Sequence, residues 1–202
     1  FNRFMLIFSH YNLVLLAVPK TGSTALEVAL GQEADGRFGN PPELKHLPLY
    51  RYNRFVRPLV QLTTGQDPET FALIREPISW LRSWYRYRAR NSMAGLPTST
   101  YHISFDQFVH DAMSDNPPPF AQIGCQTRFL SPGGSGGPIT HLFQYEQMDL
   151  ACKFLENRLE LEFDLPWLNQ AASGPAPLDP DLEARYRRRN AGEFQLWQDA
   201  FF

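Results

Sequence analysis

The chain has little cysteine, two residues in 202, and the pair has neither metal-ligand spacing nor the density of a disulfide scaffold. Cys125 and Cys152 therefore read as free, buried thiols. Long apolar runs are missing too: LVLLAV is stopped by Pro19 and Lys20, far short of the ~20 residues that span a bilayer. The visible chain reads as soluble, with no membrane partner. No N-x-[ST] acceptor occurs, Asn91 in NSM coming closest, which tilts the reading toward a bacterial cytoplasm over a Golgi lumen. Charge of one sign is lacking as well. A net charge of −2 excludes a generally basic nucleic-acid binder and confines any polyanion to local arginine clusters, RSWYRYRAR and RYRRR. There is no internal repeat and no metal-ligand cluster, so chemistry without a metal is expected. The first residue is Phe1 rather than Met, which reads as the interior of a longer protein.

What is present is a core. Residues 1–202, 43% of them hydrophobic, are enough for a single domain. FMLIF and LVLLAV read as short strands parted by the turn SHYN, ETFALIR as a second buried strand and ITHLFQY as a third. A helix follows the first corner and stops at Gly31; residues 32–42 read as a loop, and a helix-like stretch runs from ELKHLPLYRY to Leu62. Pro77 opens a helix over EPISWLRSWYRYRARN. SFDQFVHDAM and EQMDLACKFLENRLEL are further helices, SPGGSGGP a flexible loop, and LDPDLEARYRRRNAGEFQLWQDAF one closing helix after a Pro-rich linker. Strands alternating with helices predict an α/β fold, a single P-loop-like domain with a central parallel sheet flanked by helices.

The corner PKTGST sits where such sheets hold ligands, beyond the carboxyl end of a strand and at a helix start. Gly22 admits close backbone approach, Thr21, Ser23 and Thr24 add hydroxyls, and Lys20 adds a full charge. The pattern suits a tetrahedral anion. It is no Walker A loop, because Lys20 precedes the one glycine, and it has no G-x-G-x-x-G. Taken alone, an ordinary turn capped by Ser23 or Thr24 accounts for it equally well. A second corner adds weight: Arg75 ends ETFALIR and Ser83 lies two turns into the next helix. Two anion corners on neighbouring strands predict a ligand with two phosphates.

In these two motifs the chain resembles the sulfotransferases that use 3′-phosphoadenosine 5′-phosphosulfate. PKTGST is similar to the loop with which that family holds the 5′-phosphosulfate, with Ser23 where a second glycine often stands. REPISWLRSWY, with Arg75, Glu76, Pro77, Ser83 and Tyr85 in register, is similar to its 3′-phosphate segment. QTRFL, LFQYEQM and LPWLNQ look like weaker landmarks, and LKHLPL, with His46, resembles the segment found between the two motifs in carbohydrate-type members, the uronyl 2-O-sulfotransferases and their bacterial relatives.

The resemblance implies the sulfotransferase fold, this nucleotide as donor, no metal, and sulfuryl transfer to a hydroxyl of a carbohydrate. Lys20, Thr21, Gly22, Ser23 and Thr24 would hold the 5′ side, Arg75 and Ser83 the 3′-phosphate. Lys20 would steady the leaving group and His46 would serve as base, with Glu43 and Glu76 as reserve carboxylates. The stripe Arg82, Arg86, Arg90 on one helix face reads either as a solvated face or as a steering surface for an anionic saccharide, Arg82 and Arg86 being the substrate-binding candidates. RYRRR reads as an exposed helix end. Two rivals stay open, a kinase with an unusual phosphate loop and a nucleotide-binding module without turnover; no oligomeric state follows.

Overall fold

The computed structural model describes residues 5–134, 136–166 and 176–200. The first two apolar runs become β1 (Met5–Phe8) and β2 (Leu13–Leu15), an antiparallel hairpin with Leu6 opposite Leu15 and Phe8 opposite Leu13. Asn12 closes the turn at φ 51°, a left-handed conformation that asparagine tolerates better than most residues. Asp35 steadies it, its Oδ2 accepting the Ser9 N–H and hydroxyl, each at 2.7 Å. Helix α1 (Ser23–Leu30) follows and stops at Gly31.

The segment expected to be a loop contains a strand, β3 (Gly36–Phe38), antiparallel to β1. It is three residues long and pairs on one side only, so no run of apolar residues announces it. Single turns α2 (Pro42–Lys45) and α3 (Leu49–Arg51) lead into a π-helical turn, Tyr52–Val56, and then α4 (Arg57–Thr64). Pro58 explains the wide turn. It has no N–H for an ordinary helical bond, and just ahead of it the Arg57 N–H reaches back five residues to the Tyr52 carbonyl. The remaining elements are β4 (Glu69–Ile74), α5 (Pro77–Arg88), α6 (Phe105–Ala112), α7 (Gln126–Phe129), β5 (His141–Gln144), α8 (Met148–Leu159), α9 (Pro180–Arg189) and α10 (Ala191–Gln198). The expected closing helix is thus two. Asn190 interrupts it, its side-chain amide donating to the Tyr186 carbonyl at 3.1 Å.

The chain packs as two compact units. The first, residues 1–75, 126–168 and 199–202, contains the sheet, in the order β3-β1-β2-β4-β5. The α/β expectation holds, but the sheet is mixed where a parallel one was predicted. β2 and β5 run parallel to β4, whereas β1 is antiparallel to both β2 and β3; for β2 the reason is local, because the short turn at Ser9–Asn12 can join only antiparallel strands. One core gathers Leu6, Phe8, Leu13, Leu15, Phe71, Leu73 and Phe143 from the sheet with Leu26 and Leu30 of α1 and Ala151, Leu155 and Leu159 of α8. Phe71 stacks on Phe143 at 5.5 Å, an aromatic seam across the parallel strands.

The glycine-rich segment read as a flexible loop bonds the π-helical turn through its described residues on either side of position 135. The Asn53 amide, buried in the π-helical turn, donates to the carbonyls of Pro132 and Gly137 at 3.2 and 3.1 Å, and its Oδ1 accepts from Arg57. A Cβ on Gly136, at φ +110°, would lie 2.5 Å from Asn53 Cγ.

The second unit, residues 76–125 and 169–198, is helical. Its core joins Ile78, Trp80 and Leu81 of α5, Phe105, Phe108 and Val109 of α6, Tyr186 and Phe194. Pro77 stands at the first turn of α5, as its position predicts, and the Glu76 carboxylate caps that helix by accepting the Ser79 N–H at 2.7 Å. Cys125 and Cys152 form no disulfide and are half-buried, a correction to the buried reading, and burial pushes the Cys152 thiol up. Among the described residues no helix is long and apolar enough to cross a membrane.

Candidate functional site

Beyond the carboxyl end of β2 the backbone turns on two left-handed residues, Lys20 at φ 67° and Gly22 at φ 81°. Glycine takes that conformation freely; a lysine does not, and one non-glycine left-handed residue costs ~1–3 kcal/mol unless its surroundings enforce it. The surroundings do so. The buried Thr21 hydroxyl donates back to the Val18 carbonyl at 3.0 Å, and a guanidinium N–H of Arg75 donates to the Lys20 carbonyl at 3.3 Å. Gly22 is also required by space, since a Cβ there would lie 2.9 Å from both Met148 Cε and Tyr145 Cε2.

Gly22 is the N-cap of α1, and no side chain caps that helix, so the expected alternative, an ordinary turn capped by Ser23 or Thr24, does not form. Ser23 and Thr24 instead occupy the first two helical positions, both half-buried, and no acidic residue stands in the first turn. A helix start of this kind offers backbone N–H groups and the positive end of the helix dipole to an anion.

Arg75 meets this loop because β2 and β4 are adjacent and parallel and so end on the same side. Its main chain is held on both sides by one buried amide: Gln126 Oε1 accepts the Arg75 N–H at 2.9 Å, and Gln126 Nε2 donates to the Arg75 carbonyl at 2.8 Å. Its guanidinium lies over the Tyr145 ring, 4.4 Å from the centroid. Gln126 and Tyr145 stand in QTRFL and LFQYEQM, the weaker landmarks, yet nothing in those strings assigns either residue to Arg75.

His46 also reaches the corner. Its Nδ1 lies 2.7 Å from the carbonyl oxygen of Ala17, three residues before Lys20. A carbonyl only accepts, so Nδ1 carries a proton, and in the neutral form of the ring the lone pair lies on Nε2. What sets His46 in place is a pair sequence reasoning missed. Lys45, the residue before it, bonds Glu27 of α1 at 2.8 Å, with the side chains 3% and 4% exposed. No local signal marks that contact, because the partners are 18 residues apart and each is unremarkable in its own segment.

The other candidates lie in the second unit. Ser83 is half-buried on α5. Arg82 donates to the Ala176 carbonyl at 3.3 Å and stacks over Phe105 at 5.5 Å, while Arg86 is half-buried beside it on the helix. The stripe is therefore built partly into its own unit. Tyr85 is a packing residue, its hydroxyl donating to the Ile103 carbonyl at 2.7 Å and its ring beside Phe105 and Phe108. Of the reserve carboxylates, Glu76 caps α5 and pairs with Arg187 at 3.4 Å, and Glu43 is exposed on α2. LPWLNQ lies largely outside the described residues.

The loop of residues 17–24, Arg75 and His46 thus form one constellation in the first unit: two cationic side chains, an uncapped helix start and an imidazole. No family model matches the chain, and neither the curated proteins nor the solved structures give a match.

Proposed function

We propose that the protein is a sulfotransferase that moves a sulfuryl group from 3′-phosphoadenosine 5′-phosphosulfate to a hydroxyl of a carbohydrate or similar acceptor. The observation that carries the reading is the joining of its two phosphate motifs: the Arg75 guanidinium bonds the Lys20 carbonyl across the adjacent ends of β2 and β4. The donor set fits a nucleotide with two anionic ends. Lys20 and the backbone from Thr21 to Thr24 would hold the 5′ side at the start of α1, and Arg75 would take the 3′-phosphate by guanidinium contacts. Ser83 carries the same expectation from the motif alone.

The chemistry the chain must supply is small. As the acceptor oxygen bonds to sulfur and the sulfur–oxygen bond to phosphate breaks, the hydroxyl proton passes to Nε2 of His46, and Lys20 stabilises the charge left on the phosphate oxygen. The Ala17 carbonyl aligns the ring for that transfer by holding Nδ1–H. The fold, the donor and the carbohydrate class together make one reading, with no metal in it.

Calorimetry tests it. Adenosine 3′,5′-bisphosphate should bind in strong preference to AMP and ATP, and Arg75→Ala should abolish the preference. Transfer of labelled sulfate to a panel of saccharides should then fall by ~10²–10⁴-fold in His46→Ala, the range for loss of a general base. Binding of ATP without that preference would make the protein a kinase-like enzyme, and tight bisphosphate binding with no transfer to any acceptor would make it a binding module.

A further inference from the structure

The closing arginines, read as an exposed helix end, line a cleft. In the second unit α6 and α9 pack together, and Asp106 at the start of α6 accepts the Asp179 N–H at the start of α9, 3.0 Å away. At the other end of the two helices His110, Met113 and Ser114 face Arg185, Arg188 and Arg189 across an open cleft of about 570 Å³. The three guanidinium groups belong to exposed residues. Asp115 engages Arg189 at 2.6 Å, and Asp111 engages His110 at 3.0 Å. Arg185 and Arg188, one turn apart on the same helix face, have no carboxylate partner among the described residues.

Stabilisation of a helix end explains part of this arrangement. Cations in the last turn of a helix gain ~0.3–1 kcal/mol from its dipole, which covers Arg188 and Arg189. Arg185 lies before that turn and gains nothing by it. Two guanidinium groups on the wall of a cleft with no carboxylate partner among the described residues, and a serine hydroxyl and an imidazole opposite, suit a ligand with several oxyanions. None of the described lining residues is a phenylalanine, tyrosine or tryptophan, the large rings on which single-stranded nucleic-acid binders stack successive bases.

We propose that this cleft is a second binding site, for a sulfated or carboxylated oligosaccharide, with Arg185 and Arg188 as its anchors. The anion site stands on the geometry of α6 and α9; the choice of a saccharide rests on the acceptor class in the reading above. It also shifts anion recognition from the α5 stripe, where Arg82 is bound to its own unit, to α9.

The test is fluorescence polarisation of a labelled, sulfated, uronate-containing octasaccharide, without nucleotide present. The wild-type chain should bind it, the Arg185→Ala/Arg188→Ala variant at least tenfold more weakly, and Arg54→Ala, in the other unit, as the wild type does. Both positions are exposed, and an unchanged thermal midpoint will show that the double variant is folded. A neutral octasaccharide should not compete. Equal binding by wild type and double variant overturns the proposal, and so does a single-stranded oligonucleotide of the same charge that binds more tightly through the same two arginines. A wild type that ignores adenosine bisphosphate but loses the saccharide in the double variant breaks the donor reading and leaves this site standing.

Discussion

The two ends of the sheet in the first unit use polar side chains differently. Where β4 and β5 begin, the charged side chains bond one another: Arg57 grips Asp67 at 2.6 Å, and Glu69 accepts from His141 at 2.8 Å and from Arg158 at 3.4 Å, while Asn12, Thr70 and Thr140 bond main chain across neighbouring strands. Where β2 and β4 end, side chains bond the main chain. Thr21 holds Val18, His46 holds Ala17, Arg75 holds Lys20, and Gln126 holds both backbone groups of Arg75. The first arrangement fastens elements together. The second fixes the course of one loop and so determines where its N–H groups point, which a ligand site needs and a structural end does not.

The largest effect that would break this contrast is expected beneath the ligand end. Lys45→Met leaves the Glu27 carboxylate buried without its ammonium partner, and removing one member of a buried pair costs ~3–5 kcal/mol. Urea unfolding should show that loss, and Lys45→Met/Glu27→Leu should recover most of it. A single variant that loses less than ~1 kcal/mol would mean that the pair does not anchor the His46 segment. Next in size is Gly22→Ala, which puts a Cβ against Tyr145 and Met148 and forces alanine to φ +81°. A destabilisation of ~1–3 kcal/mol is expected. Nucleotide binding should fall further than stability does, read by calorimetry at a temperature where the variant is fully folded.

The smallest effect belongs to the opposite end. The His141 hydrogen bond, ahead of the Arg158 charge, holds the Glu69 carboxyl below the usual range despite some desolvation. A carboxyl whose folded value is depressed stabilises the fold above its ordinary pKa and loses that contribution as pH falls through the folded value. The urea midpoint should therefore drop as pH falls from the ordinary carboxylate range through the lower folded value, and Glu69→Gln should flatten that limb slightly, since the group is partly exposed. An unchanged limb would show that this end is tied by packing alone.

Much of this contrast could be read in advance at one end and little of it at the other. The strand, turn and helix around PKTGST, the Arg75 corner and the helix begun by Pro77 each carry their signal within a dozen residues: apolar runs, a glycine at the turn, a proline at the first helical position. The contacts that make a site of them do not. Gln126 lies 51 residues from Arg75, and Ala17 lies 29 from His46. β3 escaped notice because a three-residue edge strand has no periodicity, and the direction of β1 because alternating strands and helices imply parallel pairing until a short turn forbids it. The π-helical turn has its sign in Pro58, but a proline alone does not say whether a helix breaks or widens.

Glycine content is usually taken as a measure of freedom, and the loop on the π-helical turn inverts that meaning. Gly133 and Gly136 are small because Tyr50 and Asn53 already occupy the space their side chains would fill. The segment is a mould taken from the helix beneath it, so the two sequences must change together: a bulkier loop needs a smaller residue at Asn53, and that residue would leave the Pro132 and Gly137 carbonyls without their donor.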